Sequence, residues 1–212
     1  PHAVRLLQNA AHRIPLGPHA YPTRVLGCFE SLRHHLDRPL RADEVVVQVL
    51  ETTKDWVRIR LWPKVDAVRS ILEEYDSVCA MSYAVRHYAC GRALYCGVGL
   101  ANNTADELVY RDACAISTYH VTGDPAQDEC DSSFLAAASL WGVALPVLRM
   151  PFMRLSAEQV HIIPDALPGS DRIKGYVMDD VLTCTELGYE NGDLTLVQFT
   201  KPNGKKLLGQ KG

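Results

Sequence analysis

Three stretches near the end of the chain decide its fold class: Gln159-Val160-His161-Ile162-Ile163, Gly175-Tyr176-Val177-Met178-Asp179-Asp180-Val181 and Leu194-Thr195-Leu196-Val197-Gln198-Phe199. Each is short and rich in β-branched or aromatic residues, and turn formers (Pro168-Gly169, Asn191-Gly192) separate them, so they predict strands. Upstream the period changes. Phe29, Leu32 and Leu36 recur at helical spacing in a segment running from Cys28 to Leu36, which Asp37-Arg38-Pro39 closes. A second helix is predicted from Asp43 through Val45, Val46, Val49 and Leu50, and a third from Trp62-Pro63 along Val65, Val68, Leu72 and Tyr75. Helices first and strands last is an α+β order.

Between these parts the pattern is weak. Residues 78–100 carry no clear period, and residues 101–132 read as polar and loop-like with one strand candidate at Cys114–Val121. A helix is predicted over Ser132–Leu140, and the tail 201–212, rich in Gly and Lys, is expected to be extended. The chain is read as a single domain, residues 1–212, without internal repeats.

The 212 residues include 47% hydrophobic and 22% charged side chains, enough apolar material for a core. A formal charge of −3 lacks the basic footprint of a dedicated nucleic-acid binder. No run of 18 apolar residues is present, so no membrane partner is expected. Pro1 in first place, without a charged and then apolar leader, predicts a processed product or an excised segment and no signal peptide. Seven cysteines at irregular spacing, with no C-x-x-C, predict free thiols in a reducing compartment, no metal and no cofactor.

One cysteine is placed for chemistry. Cys28 follows Gly27 at the head of a predicted helix, where the positive end of the helix stabilises a thiolate. Its partner would be an imidazole held on a different element. His161 lies in a predicted strand and is the first candidate; His120, in Thr118-Tyr119-His120-Val121-Thr122, is the second. His34, His35 and His87 sit on segments read as helical and are assigned to packing or surface. Asp165 is a candidate to orient the imidazole, with a simple turn residue as the alternative. Asp179-Asp180 reads as a turn with solvated carboxylates.

In order along the chain, Gly27-Cys28-Phe29, Leu61-Trp62-Pro63 with Val65 and Val68, Leu145-Pro146-Val147-Leu148, Val160-His161-Ile162-Ile163-Pro164-Asp165, Gly169-Ser170 and Gly175-Tyr176 resemble the cysteine protease domain of potyvirus helper-component proteinases. They resemble the leader proteases of hypoviruses more loosely. The resemblance covers residues 27–75 and 140–212. Cys28 and His161 stand 133 positions apart, wider than that family's spacing, so an insertion is expected at about 76–139. The resemblance implies a papain-like fold, with an N-terminal helical part followed by an antiparallel β-sheet. It also implies a viral cysteine endopeptidase of the infected host cell's cytoplasm, which cleaves its own polyprotein junction in cis after Gly212. The product tail Gly209-Gln210-Lys211-Gly212 would then stay in the cleft, with Leu207 or Leu208 filling an apolar pocket. The alternatives are a trans-acting thiol hydrolase of the deubiquitinase or acyltransferase type, and a non-catalytic viral structural or accessory protein.

Overall fold

The computed structural model describes residues 36–89, 91–101, 108–115, 122–166, 169 and 172–209. Among them the chain runs through β1 (Val45–Thr52), β2 (Trp56–Pro63), helix α1 (Val65–Tyr75), β3 (Ala80–Tyr88), β4 (Gly91–Ala101), β5 (Leu108–Cys114), α2 (Pro125–Ser139) and a single-turn α3 (Leu145–Leu148). It continues through β6 (Met153–Ser156), β7 (Ile162–Ala166), β8 (Ile173–Met178), β9 (Thr183–Glu190), β10 (Asp193–Thr200) and β11 (Lys206–Leu208). These strands form four small sheets, β1-β2-β6, β3-β4-β5, β7-β8 and β11-β10-β9, and every pairing is antiparallel.

The papain-like α+β expectation is therefore corrected: from β1 onward antiparallel strands in four small sheets dominate, while the helix predicted over Cys28–Leu36 lies outside the described residues but for Leu36. The decisive segment is the one predicted as a second helix. Ala42–Glu44 forms only a 3-10 turn, and Val45–Thr52 is a strand. Val45, Val46, Val47 and Val49 are stiff at χ1 and fit a pleated surface better than a helix. Their partner is Trp56–Pro63, which alternates from Trp56 to Leu61, ends on three consecutive buried residues, and pairs Val45 with Pro63 and Gln48 with Arg60. The hairpin between them lacks a Gly or Asn-Gly signal. Thr53 closes it instead: its hydroxyl accepts the backbone N–H of Asp55 (3.3 Å) and of Trp56 (3.1 Å). Trp62-Pro63 likewise ends β2 rather than opening a helix; α1 starts at Val65 and runs to Tyr75 as its stripe predicts, burying Val68, Ile71 and Leu72.

The chain divides into two compact units. One is built on Pro39–Ala67 and the chain from Ala144 onward. Its centre is β2, whose Val57, Ile59 and Leu61 are fully buried together with Met153 and Leu155 of the neighbouring β6. Fully burying each such side chain stabilises the fold by roughly 1.5–3 kcal/mol. The β9–β10 turn is the one that Asn191-Gly192 signals: both residues have positive φ (52° and 83°), the primed geometry that matches strand twist. Of the three predicted C-terminal strands, Gln159–Ile163 is displaced to Ile162–Ala166, Gly175–Val181 to Ile173–Met178, and Leu194–Phe199 lies within β10.

The second unit is built on the chain from Val68 to Val143 and so takes in the residues expected as an insertion. Residues 78–100, which carry no clear period in the sequence, supply β3 and most of β4, and Leu108–Cys114, within the stretch read as loop-like, supplies β5 of the β3-β4-β5 meander. Helix α2 begins seven residues before the predicted Ser132, because Asp124 caps it by accepting the Ala126 N–H (2.9 Å) and Pro125 takes the first turn. The Ser133 hydroxyl reaches the carbonyls of Glu129 (2.6 Å) and Leu94 (3.2 Å), tying α2 to β4. Past Cys114, the strand candidate at 116–121 lies outside the described residues.

Candidate functional site

The β7–β8 hairpin sets the geometry around His161. Its register pairs Ile162 with Met178 and Asp165 with Gly175, so His161 just before β7 faces Asp179 just after β8. The backbone closes this end: the Asp179 N–H donates to the His161 carbonyl (3.0 Å), and the His161 N–H donates to the Asp180 carboxylate. The His161 ring turns outward, with Nδ1 3.2 Å from Asp179 Oδ2. Asp180 points the other way and meets Lys201 Nζ at 2.8 Å.

The two pairs differ in surroundings. The His161 and Asp179 side chains are 65% and 58% exposed, whereas Asp180 and Lys201 are 17% and 10% exposed. An exposed pair contributes little to stability because water screens it. The shielded Asp180–Lys201 pair clamps the base of the hairpin to the end of β10. Burial pushes the Asp180 carboxyl up, but the Lys201 ammonium and the His161 N–H outweigh it, and the group ends below its ordinary value.

The carboxylate that meets the His161 ring is thus Asp179. Asp165 stands at the far end of β7, opposite Gly175. Cys28, His120, His34, His35 and the tail residues Gln210, Lys211 and Gly212 lie outside the described residues. His87 is on strand β3, opposite Arg92, rather than on a helix. The sequence reads Asp179-Asp180 as solvated turn carboxylates and Lys201 as part of the extended tail, whereas Asp180 and Lys201 form a shielded pair. The signal present was a pair of acids directly after an apolar strand, which is common in plain turns, and nothing local links it to a lysine twenty-one residues on.

The C-terminal segment is laid down as a strand. β11 pairs with β10 through Leu207 opposite Phe199, and the Gly209 N–H donates to the Val197 carbonyl (2.9 Å). Leu207 is buried and Leu208 is exposed. Gly209 allows close approach: a Cβ there would stand 2.6 Å from Met153 Sδ and 3.1 Å from a Phe199 ring carbon.

Burial works against the thiolate at four of the described cysteines. Burial raises the thiols of Cys79 and Cys130, and pushes those of Cys96 and Cys184 up to about 11. Among the described residues no group of three or more His, Cys, Asp or Glu could hold a metal ion. No helix of the described residues is long and apolar enough to cross a membrane. No protein-family model, curated protein or solved structure matches this chain.

Proposed function

We propose that this chain is a viral cysteine endopeptidase that acts once, in cis, on its own C-terminal junction in the cytoplasm of the infected cell. The reading does not use a papain scaffold. The observation that carries it is the His161–Asp179 pair: a carboxylate 3.2 Å from Nδ1 selects the tautomer and orientation that leave Nε2 for a thiol. The order of short motifs around Cys28 and His161 supports the same assignment.

In this mechanism the Cys28 thiolate attacks the carbonyl carbon of Gly212, and the carbonyl electrons move to oxygen. Collapse breaks the C–N bond, and His161 as imidazolium gives its proton to the leaving amine. Water then hydrolyses the thioester, returning the Cys28 thiol and leaving Gly212 with a free carboxylate. Asp179 holds the imidazolium through the cycle, and Asp165 is the competing candidate for that role. The strand-like Lys206–Leu208 segment, with Leu207 buried, would keep the product tail anchored. No cofactor takes part.

Translation of the chain with a reporter fused after Gly212 tests this. Release by the parent should vanish in Cys28→Ala and His161→Ala and persist in His120→Ala. Asp179→Ala should slow release while Asp165→Ala leaves it intact. If a folded parent releases nothing, self-cleavage is wrong. The majority exposure of both His161 and Asp179 then favours a second reading, in which they are a surface ion pair of a non-catalytic accessory protein.

A further inference from the structure

The strand β2 segment Trp56-Val57-Arg58-Ile59-Arg60-Leu61-Trp62 alternates strictly. Val57, Ile59 and Leu61 point into the core, so Trp56, Arg58, Arg60 and Trp62 share the opposite face. Arg154 of β6 joins that face, directly across from Arg58 in the register. Each guanidinium lies over an aromatic ring: Arg154 over Trp56 (4.3 Å), Arg60 over Trp62 (4.4 Å), and Arg58 and Arg60 toward Phe152 (5.3 and 5.7 Å).

Three guanidiniums on one small face share a single carboxylate, Glu51, which pairs with Arg58 at 2.6 Å. Arg60 is held by the Leu148 carbonyl (2.7 Å), and among the described residues no carboxylate pairs with Arg154. Like charges directly opposite on neighbouring strands destabilise a sheet. Burial lowers the Arg60 pKa from its ordinary value, a sign that this charge is partly desolvated without an acid beside it. The Nε atoms of Arg58 and Arg60 are buried and have no acceptor among the described residues. Beside them lies a groove of about 320 Å³ lined by Arg58, Pro151, Phe152, Met153 and Arg154.

We propose that this groove is a docking site for an acidic peptide segment of another protein, whose carboxylates engage Arg58 and Arg154 while an apolar side chain rests on Pro151 and Phe152. Charge complementarity selects the occupant. The face carries three positive charges against one negative in a chain whose net charge is −3, so the positive field is local and short. The Trp56 and Trp62 rings are already covered by Arg154 and Arg60, so the exposed Phe152 stands as a single apolar rest rather than part of a run of rings on which successive bases could stack. What stays available is donor capacity of guanidiniums set beside those rings, and the fork of an arginine matches a planar carboxylate.

The test uses the full chain and a short fluorescein-labelled peptide of alternating glutamate and leucine, followed by fluorescence anisotropy. The parent should bind it, and binding should weaken as salt rises. Arg154→Gln should weaken it about tenfold, with Arg154→Lys between the two, because the charge remains but the fork is lost. Lys174→Gln, on strand β8, should bind as the parent does. Unchanged thermal unfolding of the Arg154 variants separates lost docking from lost folding. Equal binding of a glutamine-for-glutamate peptide would overturn the proposal, as would equal binding by Arg154→Gln. Tighter binding of a single-stranded oligonucleotide, or complete displacement by inorganic phosphate at the peptide's own concentration, would also overturn it.

Discussion

Sheets β1-β2-β6 and β3-β4-β5 have the same size and the same antiparallel meshing, yet they treat their strands differently. In the first, the central strand β2 sends every second side chain into the core at zero exposure, and the edge strand β6 adds Met153 and Leu155 to it. In the second, the central strand β4 is buried over Cys96–Leu100, while the edge strand β3 is exposed along nearly its whole length, Met81, Tyr83, Val85 and Tyr88 included. Helix α2 supplies the difference. It is tied to β4 through Ser133, and Trp141 just beyond it donates to the Val98 carbonyl (3.0 Å), so cover is centred on β4. A strand's composition therefore does not decide its burial; the element laid across it does. Met81 and Val85 are as apolar as Val57 and Ile59, yet exposed.

Substitutions can break that comparison. Ile59→Ala should cost the most, about 2–5 kcal/mol in denaturant unfolding, because it empties fully packed volume. Lys201→Met should follow at about 1.5–3 kcal/mol, by stripping the shielded Asp180 carboxylate of its charged donor. The same variant has a pH signature. The Asp180 pKa is depressed in the folded chain, so its stabilisation is fully present above the ordinary value of 3.8 and fades as pH falls through the lower folded value. The parent should lose stability on acidification below about pH 4. Lys201→Met should lose less over that range, and an acid limb as steep as the parent's would contradict the clamp.

Gly99→Ala should cost about 1–3 kcal/mol, since its Cβ would stand 2.7 Å from the Tyr110 ring on the uncovered side of β4. A neutral result would mean that Tyr110 swings away freely. Val85→Thr should be the smallest effect, within about 0.5 kcal/mol. A cost near that of Ile59→Ala would show that β3 is covered after all and would erase the contrast between the sheets.

Legibility followed the range of the interactions involved. Val65–Tyr75 was readable because a helix closes its own hydrogen bonds and its stripe recurs within three or four residues. Asn191-Gly192 was readable because only residues tolerating positive φ suit a two-residue hairpin. Val45–Leu50 reads ambiguously because its apolar spacing suits either period; only pairing with β2, from Val49–Ile59 to Val45–Pro63, decides it. Residues 78–100 hide their strands because Ser82, Arg86, His87, Gly91, Arg92 and Gly97 interrupt the apolar pattern that a half-buried sheet would show. In the candidate site, His161 was legible as an imidazole beside an apolar strand, while its carboxylate partner was not. Asp165 is near in sequence, and Asp179 is near only once β7 and β8 have paired.

By itself, the sequence determined the local properties of this protein: its modest negative charge, the α1 stripe, the β9–β10 turn, and the alternation within Trp56–Trp62 that puts three aliphatic side chains on one face and two arginines on the other. Tertiary structure alone decided which acid meets His161, which lysine holds Asp180, and that Arg154 is set opposite Arg58. The reason is physical. Propensity and periodicity act over a few residues, whereas strand register is set by backbone hydrogen bonds between segments far apart in sequence, and register is what brings charged side chains face to face.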